Sequence, residues 1–194
     1  MESEFVRRGK ASNTIDLAEQ YLTYCDSSSY GCNGGYPFNA AAKGIKGMPL
    51  ESAYPYKIGY IYSGMCSATV LYATFATSGS ISYYSKKIKQ TDSAIITQLL
   101  IRPLMVGVNA NDWFNYYPSA TTTDVTKKTL FCSSANSLGY INHAVLLVGY
   151  TTGAWLVKNS WGTGWGDKGY VWITRSATRG CGLGYYYGTF NTTI

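Results

Sequence analysis

The chain has 194 residues, of which 46% are hydrophobic and 13% are charged, and its formal net charge is +6. This composition belongs to a globular protein rather than a disordered one, and the length suits one domain or two small lobes. Without an arginine-rich stripe or an RNA-binding signature, the positive charge does not indicate nucleic-acid binding. The sequence also has no apolar run near the roughly 20 residues that a membrane-spanning helix needs.

The first 50 residues carry helical signals. Residues 1–10, MESEFVRRGK, place acidic residues early, basic residues late and Gly9 near the end, which is typical of the last part of a helix. In residues 14–25, TIDLAEQYLTYC, apolar side chains recur at helical spacing, and Thr14 is the candidate N-cap. Residues 31–45, GCNGGYPFNAAAKGI, predict a glycine turn followed by a short helix.

From about residue 80 the pattern changes to strands. Segments rich in Val, Ile, Tyr and Trp, and broken by Gly and Asn, predict strands at ISYY, PLMVGVNA, HAVLLVGYT, AWLVKNS and GYVWITRS. One helix, DSAIITQLLI, is predicted in this part of the chain and is stopped near Pro103. We therefore predict an α+β protein with a helical lobe over residues 1–80, a β-rich lobe over residues 81–194, and a cleft between them as the default site.

His143 is the chain's only histidine, and Asn159 follows it at 159 − 143 = 16 positions, with Trp161 just behind. Taken alone, a histidine on a strand is more often a satisfied core residue than a catalytic one. The surrounding segments favour a different interpretation, because each of them has a counterpart in one enzyme family.

Residues 142–151, NHAVLLVGYT, and 155–173, WLVKNSWGTGWGDKGYVWI, resemble the catalytic histidine and asparagine segments of papain-like cysteine peptidases. GCNGGYP at 31–37 resembles the glycine-rich cleft wall of that family, and ESAYPY and CGLGYYYGTF match its later landmarks in the same order. The resemblance implies the papain-like two-lobe fold, with the last residues returning toward the helical lobe. It also implies peptide-bond hydrolysis by a Cys-His-Asn thiolate mechanism, without a metal or other cofactor.

The chemistry of this mechanism explains the residue types. Amide cleavage by a cysteine needs a thiolate, which a neighbouring imidazole generates and then holds as an ion pair before protonating the leaving amine. The resemblance assigns this role to His143. Asn159 then binds the other ring nitrogen and fixes the ring, while Trp161 covers their hydrogen bond and excludes water.

The nucleophile of that mechanism is missing from the expected place. The family's reactive cysteine precedes the histidine by about 130–150 residues, yet no cysteine lies in residues 1–24. The glutamine of the oxyanion hole, expected a few residues earlier, is also absent. Cys25 lacks the flanking residues and helix N-terminus of a reactive cysteine, and the family places a structural half-cystine there. We therefore expect the sequence to start after the reactive residue and to be inactive without an upstream segment.

The resemblance also implies a disulfide framework. Cys25 pairs with Cys66, Cys132 pairs with Cys181, and Cys32 is left with a partner on the missing segment. Three native disulfides indicate an oxidising location, namely the lysosome or vacuole or the extracellular space. The signal peptide would then belong to the missing segment.

Substrate-binding residues follow from the same alignment of motifs. Family members bind the substrate backbone as an extended strand against a wall glycine, which matches Gly35 with Gly34 beside it. An apolar specificity pocket, shortened by a tyrosine at its far end, is lined by Tyr36, Pro37, Gly107, Ile141, Ala144 and Tyr186. The lining contains no acid that would attract Arg or Lys.

Three interpretations stay open. The chain is part of a papain-like endopeptidase, or it is a catalytically inactive papain-fold module used in binding or structure, or it is one chain of a two-chain enzyme. The partners that these interpretations imply are a peptide or protein substrate, a propeptide or protein inhibitor, and a complementing chain that supplies the N-terminal segment. The residues before Met1 distinguish the three.

Overall fold

A computed structural model describes residues 2–9, 11–36, 48–57, 79–85, 89–133 and 138–192. Within those ranges the helices are α1 (Glu2–Arg7), α2 (Glu19–Cys25), α3 (Asp92–Leu99) and α4 (Val125–Lys128), with 3-10 turns at Gly31–Asn33 and Leu138–Tyr140. The strands are β1 (Gly79–Ser85), β2 (Leu104–Val108), β3 (Thr129–Leu130), β4 (His143–Tyr150), β5 (Ala154–Lys158), β6 (Tyr170–Thr174) and β7 (Tyr186–Thr192). The short helix predicted after the glycine turn falls outside the described residues.

Helix α2 begins later than the sequence predicts, and Thr14 as its N-cap is wrong. The helix starts at Glu19, with Ala18 in the capping position and in an extended conformation. The physical reason is non-local: Leu17 pairs with Leu50 in an antiparallel bridge, and backbone hydrogen bonds flank that pairing. A segment engaged with a distant one cannot take helical dihedral angles at the same time.

Helix α3 confirms the helix predicted in this part of the chain. The hydroxyl oxygen of Thr91 accepts a hydrogen bond from the backbone N–H of Ala94, at 3.3 Å, which caps the first turn. The helix ends at Leu99, ahead of Pro103, and buries Ile95 completely. No helix in the described ranges is long and apolar enough to cross a membrane.

The described strands form one sheet in the order β1-β7-β2-β4-β5-β6-β3. At its centre β4 runs antiparallel to both β2 and β5, and β6 runs antiparallel to β5. Two strands were not predicted: β3 pairs in parallel with β6, and β7 pairs with β2. The combination of helices with a mixed sheet confirms the predicted α+β class.

The chain divides into two compact units, residues 1–82 with 190–194, and residues 83–189. In the first unit, α1 and α2 contribute to a small apolar core in which the rings of Tyr21 and Tyr54 meet edge to face at 5.7 Å. The carboxylate of Glu4, only 4% exposed, accepts hydrogen bonds from the guanidinium groups of Arg7 and Arg8. A buried acid is tolerated here because both of its oxygens are paired.

The second unit has a larger described core, formed where α3 packs with the central strands. Its buried side chains include Ile95, Leu104, Trp113, Leu147, Trp155, Ile173 and Leu183. Each such side chain stabilises the fold by roughly 1.5–3 kcal/mol relative to an exposed one. A disulfide joins Cys132 to Cys181, both buried, with Cα atoms 5.2 Å apart. This core fixes the strands whose ends carry His143 and Asn159.

Candidate active site

His143 and Asn159 lie at the same end of the sheet. His143 is the first residue of β4, and Asn159 directly follows Lys158, the last residue of β5. The two strands are antiparallel, with Leu146 opposite Lys158. The start of β4 therefore lies beside the end of β5. This brings the side chains of His143 and Asn159, which are 16 residues apart in the sequence, into contact.

That contact is a hydrogen bond between His143 Nε2 and Asn159 Oδ1, at 2.9 Å. Since an amide oxygen only accepts, Nε2 carries the proton and donates it. The same oxygen also accepts from the backbone N–H of Ser160, at 2.8 Å. Asn159 is 8% exposed, and its Nδ2 has no hydrogen-bond partner in the described part of the chain. Two donors on one oxygen thus fix the orientation of the amide.

The hydrogen bond to Asn159 determines which imidazole nitrogen of His143 is left for proton transfer. With Nε2 engaged by Asn159, Nδ1 of His143 is the nitrogen left to accept or donate a proton. His143 is half-buried, so the ring is held by the protein but still reaches solvent. A fixed tautomer with one working nitrogen is what a general acid and base requires.

Asn142 anchors the backbone just before the histidine. Its Oδ1 accepts from the N–H of Ala110, at 2.9 Å, and its Nδ2 donates to the side chain of Asn111, at 2.7 Å. Its own N–H donates to the carbonyl of Val108, at 3.0 Å. These three hydrogen bonds join the residue just before β4 to the end of β2 and the loop that follows it. They therefore hold the backbone next to His143 from both strands.

Aromatic rings surround the imidazole. Trp161 lies 5.2 Å from the ring of His143, centroid to centroid, and Trp113 lies 5.8 Å away in an edge-to-face contact. Trp165 packs on both tryptophans, at 5.0 Å from Trp161 and 6.0 Å from Trp113. Trp113 and Trp165 are buried, whereas Trp161 is partly exposed. Apolar neighbours of this size lower the local dielectric and strengthen the His143–Asn159 hydrogen bond.

The predicted pocket residues of this unit come together around Gly107. A Cβ on Gly107 would lie 2.8 Å from Cγ2 of Ile141 and 3.1 Å from Cβ of Tyr186, so glycine is required there by close packing. Gly107 also pairs in register with Ala144 across β2 and β4. Ile141 and Ala144 lie on either side of His143 in the sequence. Tyr186, the first residue of β7, lies beside Gly107 as well.

The two predicted wall glycines belong to the first unit and are both exposed. Gly34 has φ = 99°, a conformation that favours glycine. A Cβ on Gly35 would lie 2.3 Å from Oγ of Ser29, whose hydroxyl donates to the carboxylate of Asp26. The N–H of Tyr30 donates to the carbonyl of Gly34, at 2.8 Å. The carboxylate of Asp26 therefore holds the turn that positions the backbone of Gly34 and Gly35.

Other predicted positions are less fully described. Tyr36 is 55% exposed, and Pro37 lies outside the described residues. Cys25 is disulfide-bonded, but Cys66, its predicted partner, also lies outside them, so the pairing stays a prediction. Cys32 is exposed and is a free thiol in the described part of the chain.

Sequence reasoning missed three residues of this site. Trp113 and Phe114 follow the end of β2, and Asn142 immediately precedes the histidine. Their only signals were an aromatic pair in NANDWFNYY and a polar residue before His143, neither of which identifies a partner. The contacts depend on pairing between β2 and β4, which the sequence does not reveal.

An α+β fold that presents a histidine–asparagine pair beside a tryptophan, at one end of a mixed sheet, defines a papain-like protein. The family model described as papain family cysteine protease matches residues 1–188. The chain therefore belongs to the papain family of cysteine proteases.

Individual relatives agree with this assignment. The chain is 35% identical to cathepsin K of Gallus gallus over 191 residues, which cover 94% of this chain and 52% of that protein. It is 36% identical to cysteine proteinase 3 of Entamoeba histolytica over 175 residues, covering 87% and 52% respectively. The chain thus spans about half the length of these relatives.

Solved structures give the same result for the fold. A cysteine protease of Carica candamarcensis superposes with a TM-score of 0.76 at 27% identity, covering 97% of this chain and 83% of that chain. The bromelain protease of Ananas comosus superposes with a TM-score of 0.72 at 26% identity, covering 98% and 85% respectively. The papain-like fold is therefore shared nearly throughout the chain.

Proposed function

We propose that this chain supplies the histidine and asparagine of a papain-like cysteine endopeptidase, whose nucleophilic cysteine lies on a segment outside this sequence. The observation that carries the proposal is the 2.9 Å hydrogen bond from His143 Nε2 to Asn159 Oδ1 beside Trp161. It supports a ring whose Nδ1 works opposite a thiol. Membership of the papain family supports the reaction class.

The proposed reaction runs in two halves. The thiolate attacks the carbonyl carbon of the substrate, and the tetrahedral intermediate collapses as His143 Nδ1–H protonates the leaving amine. The C–N bond breaks and a thioester remains. Water then attacks the thioester, His143 Nδ1 takes its proton, and the carboxylic acid product leaves as the thiolate is restored. Asn159 holds the ring orientation throughout.

None of the described cysteines suits the role of nucleophile. Cys132 and Cys181 are joined to each other, and Cys25 is also disulfide-bonded, so these three lack a thiol. Cys32 sits in the short 3-10 turn Gly31–Asn33, without the long helix N-terminus that would stabilise a thiolate. We therefore propose that the 194 residues alone are inactive and that Cys32 pairs with the missing segment.

The substrate preference that we propose is an apolar side chain two positions before the scissile bond. Support comes from Ile141, Ala144 and Tyr186, which lie around Gly107, one register position from the Val108–His143 pair, and carry no charge. The ring of Tyr186 would limit the pocket's length. Gly34 and Gly35 are proposed to pair with the extended substrate backbone, since neither has a side chain that would obstruct it.

The disulfide between two buried cysteines supports an oxidising location, for which we propose the lysosome or the extracellular space. A propeptide or protein inhibitor, and a complementing chain, are the proposed protein partners. A second candidate function is a non-catalytic papain-fold module. The observation that favours it is that the single free thiol among the described residues, Cys32, lies in a short exposed turn.

Labelling of the native protein with a peptide-like, thiol-reactive epoxide distinguishes these functions. We expect a labelled protein heavier than 21.3 kDa, the mass of this chain, with the label on a cysteine upstream of Met1. Label on a separate copurifying chain would indicate the two-chain enzyme. A native protein of 21.3 kDa that takes no label, alone or in complex, would establish the non-catalytic module. Blocking thiols beforehand with iodoacetamide is the control.

A further inference from the structure

Tyr116 is a buried phenol whose hydroxyl joins two elements of the second unit. The side chain is 7% exposed. Its hydroxyl donates a hydrogen bond to the backbone carbonyl of Lys128, at the end of α4, over 2.7 Å. The same oxygen accepts from the backbone N–H of Trp172 on β6, at 3.3 Å. Burial raises the pKa of Tyr116 to about 12, so the hydroxyl keeps its proton and its donor role at physiological pH.

The two partners of the Tyr116 hydroxyl also meet at Asp167. The ammonium group of Lys128 and the indole N–H of Trp172 both reach Oδ2 of this carboxylate, at 2.8 Å and 3.3 Å. Asp167 belongs to the loop between β5 and β6, whose first residue is Asn159. Tyr116 and Asp167 therefore close one polar network that joins α4 and β6 to this loop.

The ring of Tyr116 supports Trp165 in the same loop. The two ring centroids are 5.7 Å apart, and the planes are tilted by 45°. A Cβ on Gly166 would lie 3.3 Å from Cδ1 of Tyr116, so the ring and the loop are in close contact. Trp165 is 5% exposed, yet its indole Nε1 has no hydrogen-bond partner in the described ranges. Packing therefore orients this indole, and the ring of Tyr116 is part of that packing.

Trp165 in turn supports Trp161. The ring of Trp161 meets the buried rings of Trp165 and Trp113 edge to face, with centroids 5.0 Å and 6.3 Å away. It also stacks on Phe114 at 5.1 Å, but Phe114 is 67% exposed and gives little buried support. Trp161 lies 5.2 Å from the imidazole of His143. A path of ring contacts thus runs from the buried phenol to the histidine.

We propose that Tyr116 is a positioning residue of the His143–Asn159 pair. Its hydroxyl is fixed by two backbone hydrogen bonds, its ring supports Trp165, and Trp165 keeps Trp161 in contact with the imidazole. With Trp161 in place, water is excluded from the hydrogen bond between His143 and Asn159, which apolar surroundings strengthen. The effect on hydrolysis rests on the proposed peptidase function, whereas the effect on the pair does not.

Y116F in the native protein tests this inference, because it removes the hydroxyl and keeps the ring. The measurement is ¹⁵N NMR of the imidazole, with the signals of His143 identified by their loss in H143Q. We expect the Nε2–H of His143 to exchange with water roughly two- to ten-fold faster in Y116F, the factor that one net hydrogen bond corresponds to. The indole N–H signal of Trp161 should shift as well.

Two further variants separate positioning from general stability. I173V is the matched control: Ile173 is completely buried on β6, and the loss of one methylene should destabilise the protein to a similar degree without moving the exchange rate. K128A removes the ion pair with Asp167 but retains the backbone carbonyl that accepts from Tyr116, so it should accelerate exchange less than Y116F does. Urea denaturation measures the stability of each variant.

The proposal would be overturned by unchanged Nε2–H exchange in Y116F, by equal acceleration in I173V, or by greater acceleration in K128A. In a native protein that hydrolyses peptides, Y116F should also lower kcat by a similar factor and leave KM unchanged. An unchanged kcat would contradict the role in hydrolysis. A native protein without peptidase activity would contradict the proposed function instead, and the exchange measurement would still decide whether Tyr116 positions the pair.

Discussion

The two units of this chain fix their site residues by different physical means. In residues 83–189, His143 and Asn159 stand at strand ends whose register is set by sheet pairing over a buried core. In residues 1–82, Gly35 is set by a turn in which one carboxylate, Asp26, binds Ser28 and Ser29. In the described part of the chain, sheet pairing and a buried core support the first arrangement, whereas hydrogen bonds to one carboxylate hold the turn of the second. A substitution at Asp26 should therefore disturb the glycine wall and leave the His143–Asn159 hydrogen bond in place.

The largest effect is expected from removing the proposed general base. If the native protein hydrolyses peptides as proposed, H143A should lower kcat/KM by about 10⁴-fold or more, because no imidazole then activates the thiol or protonates the leaving amine. Peptide hydrolysis measures the loss, and circular dichroism checks the fold. Activity within ten-fold of wild type would remove His143 from the mechanism.

A core substitution tests how strongly the sheet is anchored. Leu147, on β4, is completely buried, so L147A should lower the free energy of unfolding by about 2–5 kcal/mol. The matched control is L100A, since Leu100 is 72% exposed at the end of α3 and should change stability by less than about 0.5 kcal/mol. Urea denaturation gives both values. Equal effects would contradict the described packing around β4.

The sequence predicted the regular core of this sheet well and the irregular parts poorly. Strands β2, β4, β5 and β6 were predicted because each is an apolar run rich in β-branched and aromatic residues. Strand β3 is two residues long and carries no periodic signal. Thr14 was wrongly predicted as a cap because the pairing of Leu17 with Leu50 is non-local.

The residues of the candidate site show the same contrast between those that the sequence predicts and those that it does not. His143, Asn159 and Trp161 stand in short motifs, so the resemblance predicts them as site residues from the sequence alone. Phe114 and Asn142 act through contacts between segments about 30 residues or more apart, such as the bond from Asn142 to Asn111. Spacing along the chain cannot show such contacts, because they depend on strand register.

The glycine wall should respond to a single methyl group. G35A places a Cβ 2.3 Å from Ser29 Oγ, so the turn must shift, at a cost of about 1–3 kcal/mol. We expect kcat/KM to fall, mainly through a higher KM for extended peptides. G153A is the control, because a Cβ there meets no described atom within 4 Å. A normal KM for G35A would show that the wall tolerates the change.

The smallest effect is expected at Asn142. N142A removes two side-chain hydrogen bonds at an exposed position, so stability should fall by about 0.5–1.5 kcal/mol. Thermal unfolding measures it. N142D is informative beside it, because a carboxylate still accepts from Ala110 but faces the Asn111 oxygen without a donor. An N142A protein with unchanged stability and activity would mean that sheet pairing alone positions His143.

The pairing of His143 with Asn159 can be measured most directly by ¹⁵N NMR of the imidazole in this 194-residue chain, where His143 is the single histidine and its ring signals need no assignment. In neutral His143 we predict a protonated Nε2, protected from exchange by Asn159, and an unprotonated Nδ1. N159A should abolish this protection and mix the two tautomers. A neutral ring protonated on Nδ1, or ring signals unchanged in N159A, would contradict the proposed role of the pair.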